Sequence, residues 1–291
     1  MQQGKYKDIS TLRKLFLLLV FIFMGTVAAS FATLGLKLIN PNEVTFLKAS
    51  QVLSLIGLFI FPAVSSAYLF SDNWKKFLYL DQPVRIDKLL YTGVLALTMQ
   101  PFLSWIVYWN NQIKLPAFLS GVEIWMQNME AQMNDTVQLL LVTNSFGTFL
   151  VNVLIIAVLT AIGEEFFFRG TLQRILTDAT KKPYLAAIVI GILFSIIHFQ
   201  FYGFFARAFM GIFFGIMVVN SKSLLLPIVA HAVNNAYGVF MYYYCTKNDI
   251  PIENFENPSE PPTLWIVAVS LLVSALIYRS ILRIIRDKRA G

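Results

Sequence analysis

The chain has 291 residues, of which 57% are hydrophobic and only 13% are charged. A soluble domain carries about 25% charged residues, so this composition excludes an ordinary soluble protein and indicates a membrane protein with several spans. The net charge of +7 does not indicate a nucleic-acid partner, because the basic residues lie at the ends of apolar runs, where membrane proteins carry them. The single cysteine, Cys245, excludes an intrachain disulfide framework and any cysteine-based zinc site.

Apolar runs long enough to cross a bilayer recur along the whole chain. A hydrocarbon core about 30 Å thick needs roughly 20 helical residues. We therefore predict an all-α, polytopic membrane helix bundle of about eight transmembrane helices, which forms a single integral membrane domain over residues 1–291. The predicted spans cover residues 15–36, 50–70, 89–109, 145–168, 184–202, 207–219, 224–244 and 264–282.

Basic residues are distributed unevenly between the two sides of this predicted bundle. With eight spans, the side that holds both termini carries 18 of the 23 Lys and Arg residues. Basic residues accumulate on the cytoplasmic side of membrane proteins, so we expect a plasma-membrane protein with both termini in the cytoplasm. The segments on that side are residues 1–14, 71–88, 169–182, 220–223 and 279–291.

Residues 110–144 form the longest polar stretch, and apolar residues recur within it at roughly helical spacing. This pattern is typical of an amphipathic helix that lies on the membrane surface, here over about residues 116–134. A helical loop packed on the bundle gives the same pattern, so both interpretations remain open.

Two adjacent carboxylates, Glu164 and Glu165, end the apolar run of the fourth predicted span. Ionisable side chains inside a membrane are costly and mark functional sites by default. Glu165 and Arg169 are four residues apart, so they share a helix face and we predict an ion pair between them. Glu164 points about 100° away on a helical wheel, which leaves it available as a general base or acid.

The chain has only two histidines, His198 and His231, and each lies in its own apolar run. Either one alone reads as an ordinary packing residue. His231 and Asn235, however, are four residues apart and face one point, and polar groups at membrane depth need partners. We therefore predict that both histidines converge with Glu164 in one cavity. Asn234 faces elsewhere and is expected to form a hydrogen bond between helices.

Three short motifs in this order resemble those of the CPBP intramembrane proteases. That family includes the type II CAAX prenyl endopeptidases of eukaryotes and the bacterial CAAX protease self-immunity proteins. The resemblance covers about residues 145–245. The motifs are Glu164-Glu165-x-x-x-Arg169, Phe194-x-x-x-His198 and His231-x-x-x-Asn235.

The resemblance implies an intramembrane endopeptidase that cleaves a membrane-associated protein or peptide, lipidated in the eukaryotic relatives. In the implied mechanism Glu164 and His198 hold and deprotonate a water molecule. His231 and Asn235 donate hydrogen bonds to the oxyanion that follows the attack. Structural support is implied for three further residues: Glu165 and Arg169 brace the site, and Phe194 shapes the cavity.

A metal is an alternative to this metal-free mechanism. Glu164, His198 and His231 could supply the three protein ligands of a catalytic zinc, with a fourth position left for water. Asn235 argues against this set, because asparagine is a poor zinc ligand but a good oxyanion donor. We therefore expect no cofactor and keep zinc as the alternative.

Two other functions compete with the protease. A transporter or ion permease would use buried Glu and His as a relay, and it predicts further charged residues within other spans. None lies at the centre of the first, second, third or eighth predicted span. A non-catalytic membrane scaffold or immunity protein is the other alternative, and the sequence leaves it open.

Overall fold

The computed structural model describes residues 2–256 and 260–290, and over these ranges the chain is a bundle of helices without a strand. This confirms the prediction of an all-α, polytopic membrane bundle. The main helices are α1 (Thr11–Leu38), α2 (Glu43–Phe70), α3 (Ile86–Asn111), α4 (Ser120–Leu141), α5 (Phe146–Thr180), α6 (Pro183–Ile196), α7 (Phe204–Ser221), α8 (Leu225–Lys247) and α9 (Leu264–Ala290).

Among the described residues, six helices are long and apolar enough to cross a membrane: α1, α2, α3, α5, α7 with its preceding turn, and α9. The prediction of about eight spans also included α6 and α8. Helix α6 is apolar but has only 14 residues, which gives a length of about 21 Å. Its predicted end at residue 202 is wrong, because Phe199 has a left-handed backbone with φ 52°.

The fourth predicted span was expected to end beside the glutamates, and this is also wrong. Helix α5 runs for 35 residues, so Glu164 lies near its middle, and the expected loop at residues 169–182 is mostly helical. The helix continues through Arg169 because that guanidinium is paired inside the bundle and does not need water. A charged residue therefore does not end a span when the bundle supplies its counter-charge.

Helix α4 is the amphipathic helix that the polar stretch at residues 110–144 predicted, and it lies slightly further along the chain than expected. It packs on the bundle at a few points. Trp125 contacts the rings of Phe199 and Phe201, and Leu140 and Leu141 are buried near its end. These contacts favour a helix packed on the bundle over one that touches only the membrane surface.

Two large apolar clusters form most of the interior of the bundle, and a smaller third one joins α4 and α8. One joins α1, α2, α5 and α6 and includes Phe168 and Phe194. The other joins α3, α7, α8 and α9 and includes Phe214 and Met217. The guanidinium of Arg169 on α5 lies between them, against the ring of Phe194 in the first cluster and the ring of Phe214 in the second.

Candidate active site

Glu164 and Glu165 lie in a short α-helical piece of α5, Thr160–Glu165, between two π-helical segments. These segments are Val153–Leu159 and Phe166–Leu172. A threonine hydroxyl bonds the carbonyl five residues earlier at both places, Thr160 to Ile155 and Thr171 to Phe166. Single π turns are common at functional sites because they rotate the side chains that follow.

Glu165 and Arg169 form the ion pair that their spacing predicts. The Arg169 Nη1 to Glu165 Oε1 distance is 2.8 Å, and both side chains are fully buried. The second guanidinium nitrogen, Nη2, donates to the carbonyl of Gly211 on α7 at 3.0 Å. The rings of Phe194 and Phe214 lie 4.6 and 5.5 Å from the guanidinium carbon. Arg169 thus ties α5 to α6 and α7 beneath the site.

His231 of α8 contacts both glutamates. Its Nδ1 lies 2.9 Å from Glu165 Oε1, and its Nε2 lies 3.7 Å from Glu164 Oε2. The buried carboxylate of Glu165 is paired with Arg169, so it accepts the hydrogen bond and Nδ1 carries the proton. The ring stacks on Phe214 with its centroid 5.3 Å away. Glu165 therefore fixes the His231 ring so that Nε2 faces Glu164.

His198 approaches Glu164 from the end of α6. Its Nδ1 lies 2.6 Å from the carbonyl oxygen of Phe194, which accepts only if Nδ1 carries the proton. The other nitrogen, Nε2, is then an acceptor, and it lies 4.0 Å from Glu164 Oε1. The Phe194 ring packs against both histidine rings, at 4.7 Å from His198 and 5.8 Å from His231. Phe194 thereby holds the two rings apart around Glu164.

Asn235 lies one turn beyond His231 on α8. Its Nδ2 donates to the carbonyl of Ile156 on α5, and its Oδ1 accepts from Asn234, both at 3.4 Å. These are long bonds. Asn234 in turn accepts a hydrogen bond from Gln100 of α3 at 3.1 Å, so it joins helices as the sequence predicted. Asn235, Asn234 and Gln100 thus form a chain of three amides, and Asn235 is the member that contacts α5, the helix that carries Glu164.

Sequence reasoning missed the residues that shape the loop after His198. Arg207 of α7 donates to both the backbone carbonyl and the side-chain oxygen of Gln200, at 3.0 and 2.9 Å. Its charge also acts on Glu164. The only signal in the sequence was a lone arginine on a side of the membrane that carries few basic residues.

The three candidate zinc ligands, Glu164, His198 and His231, are close together. Even so, no group of three or more His, Cys, Asp or Glu residues within residues 2–256 and 260–290 has the arrangement that holds a metal ion. The Nε2 atoms of His231 and His198 lie 3.7 and 4.0 Å from the oxygens of Glu164. Both rings are oriented through Nδ1, as the rings of metal-ligating histidines also are. Among the described residues these three side chains therefore do not form a recognisable zinc site.

A family model described as Type II CAAX prenyl endopeptidase Rce1-like matches residues 146–237. The match spans α5 to α8, where all three motifs lie, and it supports a relationship of this region to the CAAX protease-like family. The family is one of peptide hydrolases that act on protein substrates at the membrane. No curated protein and no solved structure matches the chain.

Proposed function

We propose that the protein is an intramembrane endopeptidase that cleaves a membrane-associated protein or peptide. The observation that carries this proposal is the position of Glu164 between two imidazoles, at 4.0 Å from His198 and 3.7 Å from His231. Each ring is oriented by a bond from its other nitrogen. Glu164 therefore faces the acceptor nitrogen of His198 on one side and the ring of His231, oriented by Glu165, on the other.

Glu164 and His198 are the pair that activates water. A 4.0 Å separation is too long for a direct hydrogen bond, but one water molecule can bond to both groups at about 2.8 Å. Glu164 takes one proton from that water, and the hydroxide forms a bond to the scissile carbonyl carbon. His198 Nε2 accepts a hydrogen bond from the remaining O–H and orients the attack. The proton held by Glu164 then passes to the leaving amine as the C–N bond breaks.

His231 and Asn235 are the donors for the oxyanion that forms on the carbonyl oxygen. Preorganised donors in a site sheltered from water stabilise such an oxyanion by about 3–4 kcal/mol each. Asn235 donates through its amide, and His231 through Nε2 when the ring carries both protons. Glu165 accepts the hydrogen bond from Nδ1 and keeps the ring in this orientation. The substrate is a peptide held at membrane depth, with a prenylated one as the first probe.

Cleavage of a farnesylated CAAX peptide by the purified protein in detergent tests this proposal. We expect Glu164→Gln and His198→Ala to lower the turnover number by about 10²-fold or more, whereas Glu43→Gln, at an exposed carboxylate on α2, keeps wild-type turnover. Cleavage that survives Glu164→Gln would overturn the mechanism. We expect o-phenanthroline to leave cleavage unchanged; inhibition reversed by zinc would show a metal enzyme.

A further inference from the structure

The two faces of the bundle differ in how they close around the site. Five hydrogen bonds between loops and helix ends define one face, which we call the basic face. There Gly4 and Tyr6 donate to backbone carbonyls at the end of α2, Arg174 of α5 donates to the carbonyls of Lys76 and Phe77, and Leu224 donates to Tyr79. The opposite face, which we call the far face, carries α4 and the turn that follows His198.

Towards the basic face the site is sealed. Arg169 is fully buried beneath the glutamates, and Phe168 and Phe214 are 1% exposed. One turn lower, Gly170 is packed so closely on Leu78 that an added Cβ would lie 2.7 Å from its side chain. These contacts pack the bundle tightly between the glutamates and the basic face.

Towards the far face the site continues into polar groups. Asn235, Asn234 and Gln100 form an unbroken chain of amide hydrogen bonds on that side of His231. A cavity of about 560 Å³ lies on the same side, and its walls include Gln200, two residues after His198, and Tyr242, seven residues after Asn235 on α8. Its other polar walls are the side chains of Asn111, Gln127, Glu130, Asn134, Tyr202 and Glu256.

Helix α6 explains why the cavity lies at membrane depth. Its length of about 21 Å is less than the roughly 30 Å of a hydrocarbon core. The helix starts at the basic face, so His198 at its other end stops short of the far face. Arg207 holds the following turn through Gln200, and α4 covers it through Glu130, whose carboxylate accepts from the Tyr202 backbone at 3.4 Å.

The charge distribution gives these faces an orientation. With the buried Arg169 left out, the segments at the basic face and the termini carry 17 of the 23 Lys and Arg residues, so the basic face lies in the cytoplasm. We propose that water and substrate reach Glu164 from the far face, outside the cytoplasm. Combined with the proposed function, on which this conclusion rests, the access route implies a substrate class: peptides exposed on the non-cytoplasmic side of the membrane.

Cysteine accessibility in intact cells tests this access route without requiring catalysis. The sole native cysteine, Cys245, is replaced by alanine, and single cysteines are introduced by Gln200→Cys in the cavity and Asn234→Cys in the amide chain. Asn144→Cys before α5 and Ala179→Cys near its end are exposed controls for the far and basic faces. Cells are treated with a membrane-impermeant methanethiosulfonate, and the remaining thiols are counted with a maleimide after lysis.

We expect the impermeant reagent to block the cysteines at 144, 200 and 234 in intact cells and to leave the one at 179 free. If the cysteine at 234 reacts only in inverted vesicles, or from neither side, the access route is wrong. The labelling pattern is independent of turnover. Failure of the protease proposal would therefore appear as absent cleavage with an unchanged labelling pattern, and failure of the access route as the reverse.

Discussion

Glu165 and His231, 66 positions apart in the chain, are joined by a 2.9 Å hydrogen bond in the interior of the bundle. The same carboxylate oxygen, Oε1, lies 2.8 Å from Arg169. One carboxylate therefore neutralises a buried arginine and fixes the ring of a candidate oxyanion donor. This couples the stability of the bundle to the geometry of the site.

Glu165→Gln is expected to destabilise the protein and to abolish cleavage. Removing one partner of a buried ion pair leaves the other charge uncompensated, which costs about 3–5 kcal/mol. Because the pair is fully buried, solvent does not replace the lost partner. Thermal unfolding in detergent measures the loss of stability, and turnover of the farnesylated peptide measures the loss of activity.

The double variant Glu165→Gln/Arg169→Met separates these two effects. Replacing a buried ion pair as a whole is often neutral for stability, so the double variant is expected to unfold close to the wild-type temperature. Its activity should stay low, because His231 still lacks the carboxylate that orients it. Recovery of both stability and activity would show that Glu165 only balances Arg169.

Asn235 and Asn234 are adjacent, so they form a matched pair for testing the oxyanion role. Asn235→Ala is expected to lower the turnover number by about 10²–10³-fold, the usual effect of losing one oxyanion donor. Asn234→Ala loses a bond to Gln100 and is expected to lower it less than tenfold. Equal losses of turnover in the two variants would show that both amides act through packing and that Asn235 is not an oxyanion donor. Single-turnover cleavage of the farnesylated peptide makes the comparison.

Close contact between α6 and α7 depends on two glycines, Gly191 and Gly211. A Cβ added at Gly191 would lie 2.4 Å from the backbone nitrogen of Ile212, so Gly191→Ala should force the helices apart. We expect a destabilised protein with lower activity, because Gly211 accepts the bond from Arg169. At Gly238 of α8 an added Cβ meets nothing within 4 Å. Gly238→Ala is therefore expected to raise the unfolding temperature through helix propensity.

The sequence allowed the local parts of the site to be predicted. The Glu165–Arg169 pair follows from helical spacing alone, and the only two histidines of the chain pointed to Glu164 as their partner. The bond between Glu165 and His231 was not predictable, because its partners lie on helices whose relative rotation depends on packing. The same holds for Arg207, whose contact with Gln200 depends on the turn at Phe199.

Errors in predicting the spans have a common physical cause. The expectation that α5 ends at Arg169 assumed that a charge seeks water, but Glu165 and the Gly211 carbonyl pair with Nη1 and Nη2 of the guanidinium inside the bundle. The expectation that the fifth span reaches residue 202 relied on apolar composition, which continues through the turn at Phe199 and does not reveal it. Hydropathy reports where a chain tolerates lipid, whereas the helix ends depend on backbone and partner geometry.

Glu130 is expected to make the docking of α4 depend on pH. Burial against the bundle raises the pKa of its carboxyl above the ordinary value, and the bond from the Tyr202 backbone only partly offsets this. The docked state therefore binds the proton more tightly than the undocked state, so docking weakens as pH rises from about 4.3 through the raised pKa.

Hydrogen exchange of α4, compared between variants at each pH, measures this. Glu130→Gln should protect α4 more than wild type does at neutral pH and remove the trend, whereas Asp135→Asn, at an exposed position on the same helix, should retain it. Equal protection in wild type and Glu130→Gln across the pH range would contradict this role for Glu130.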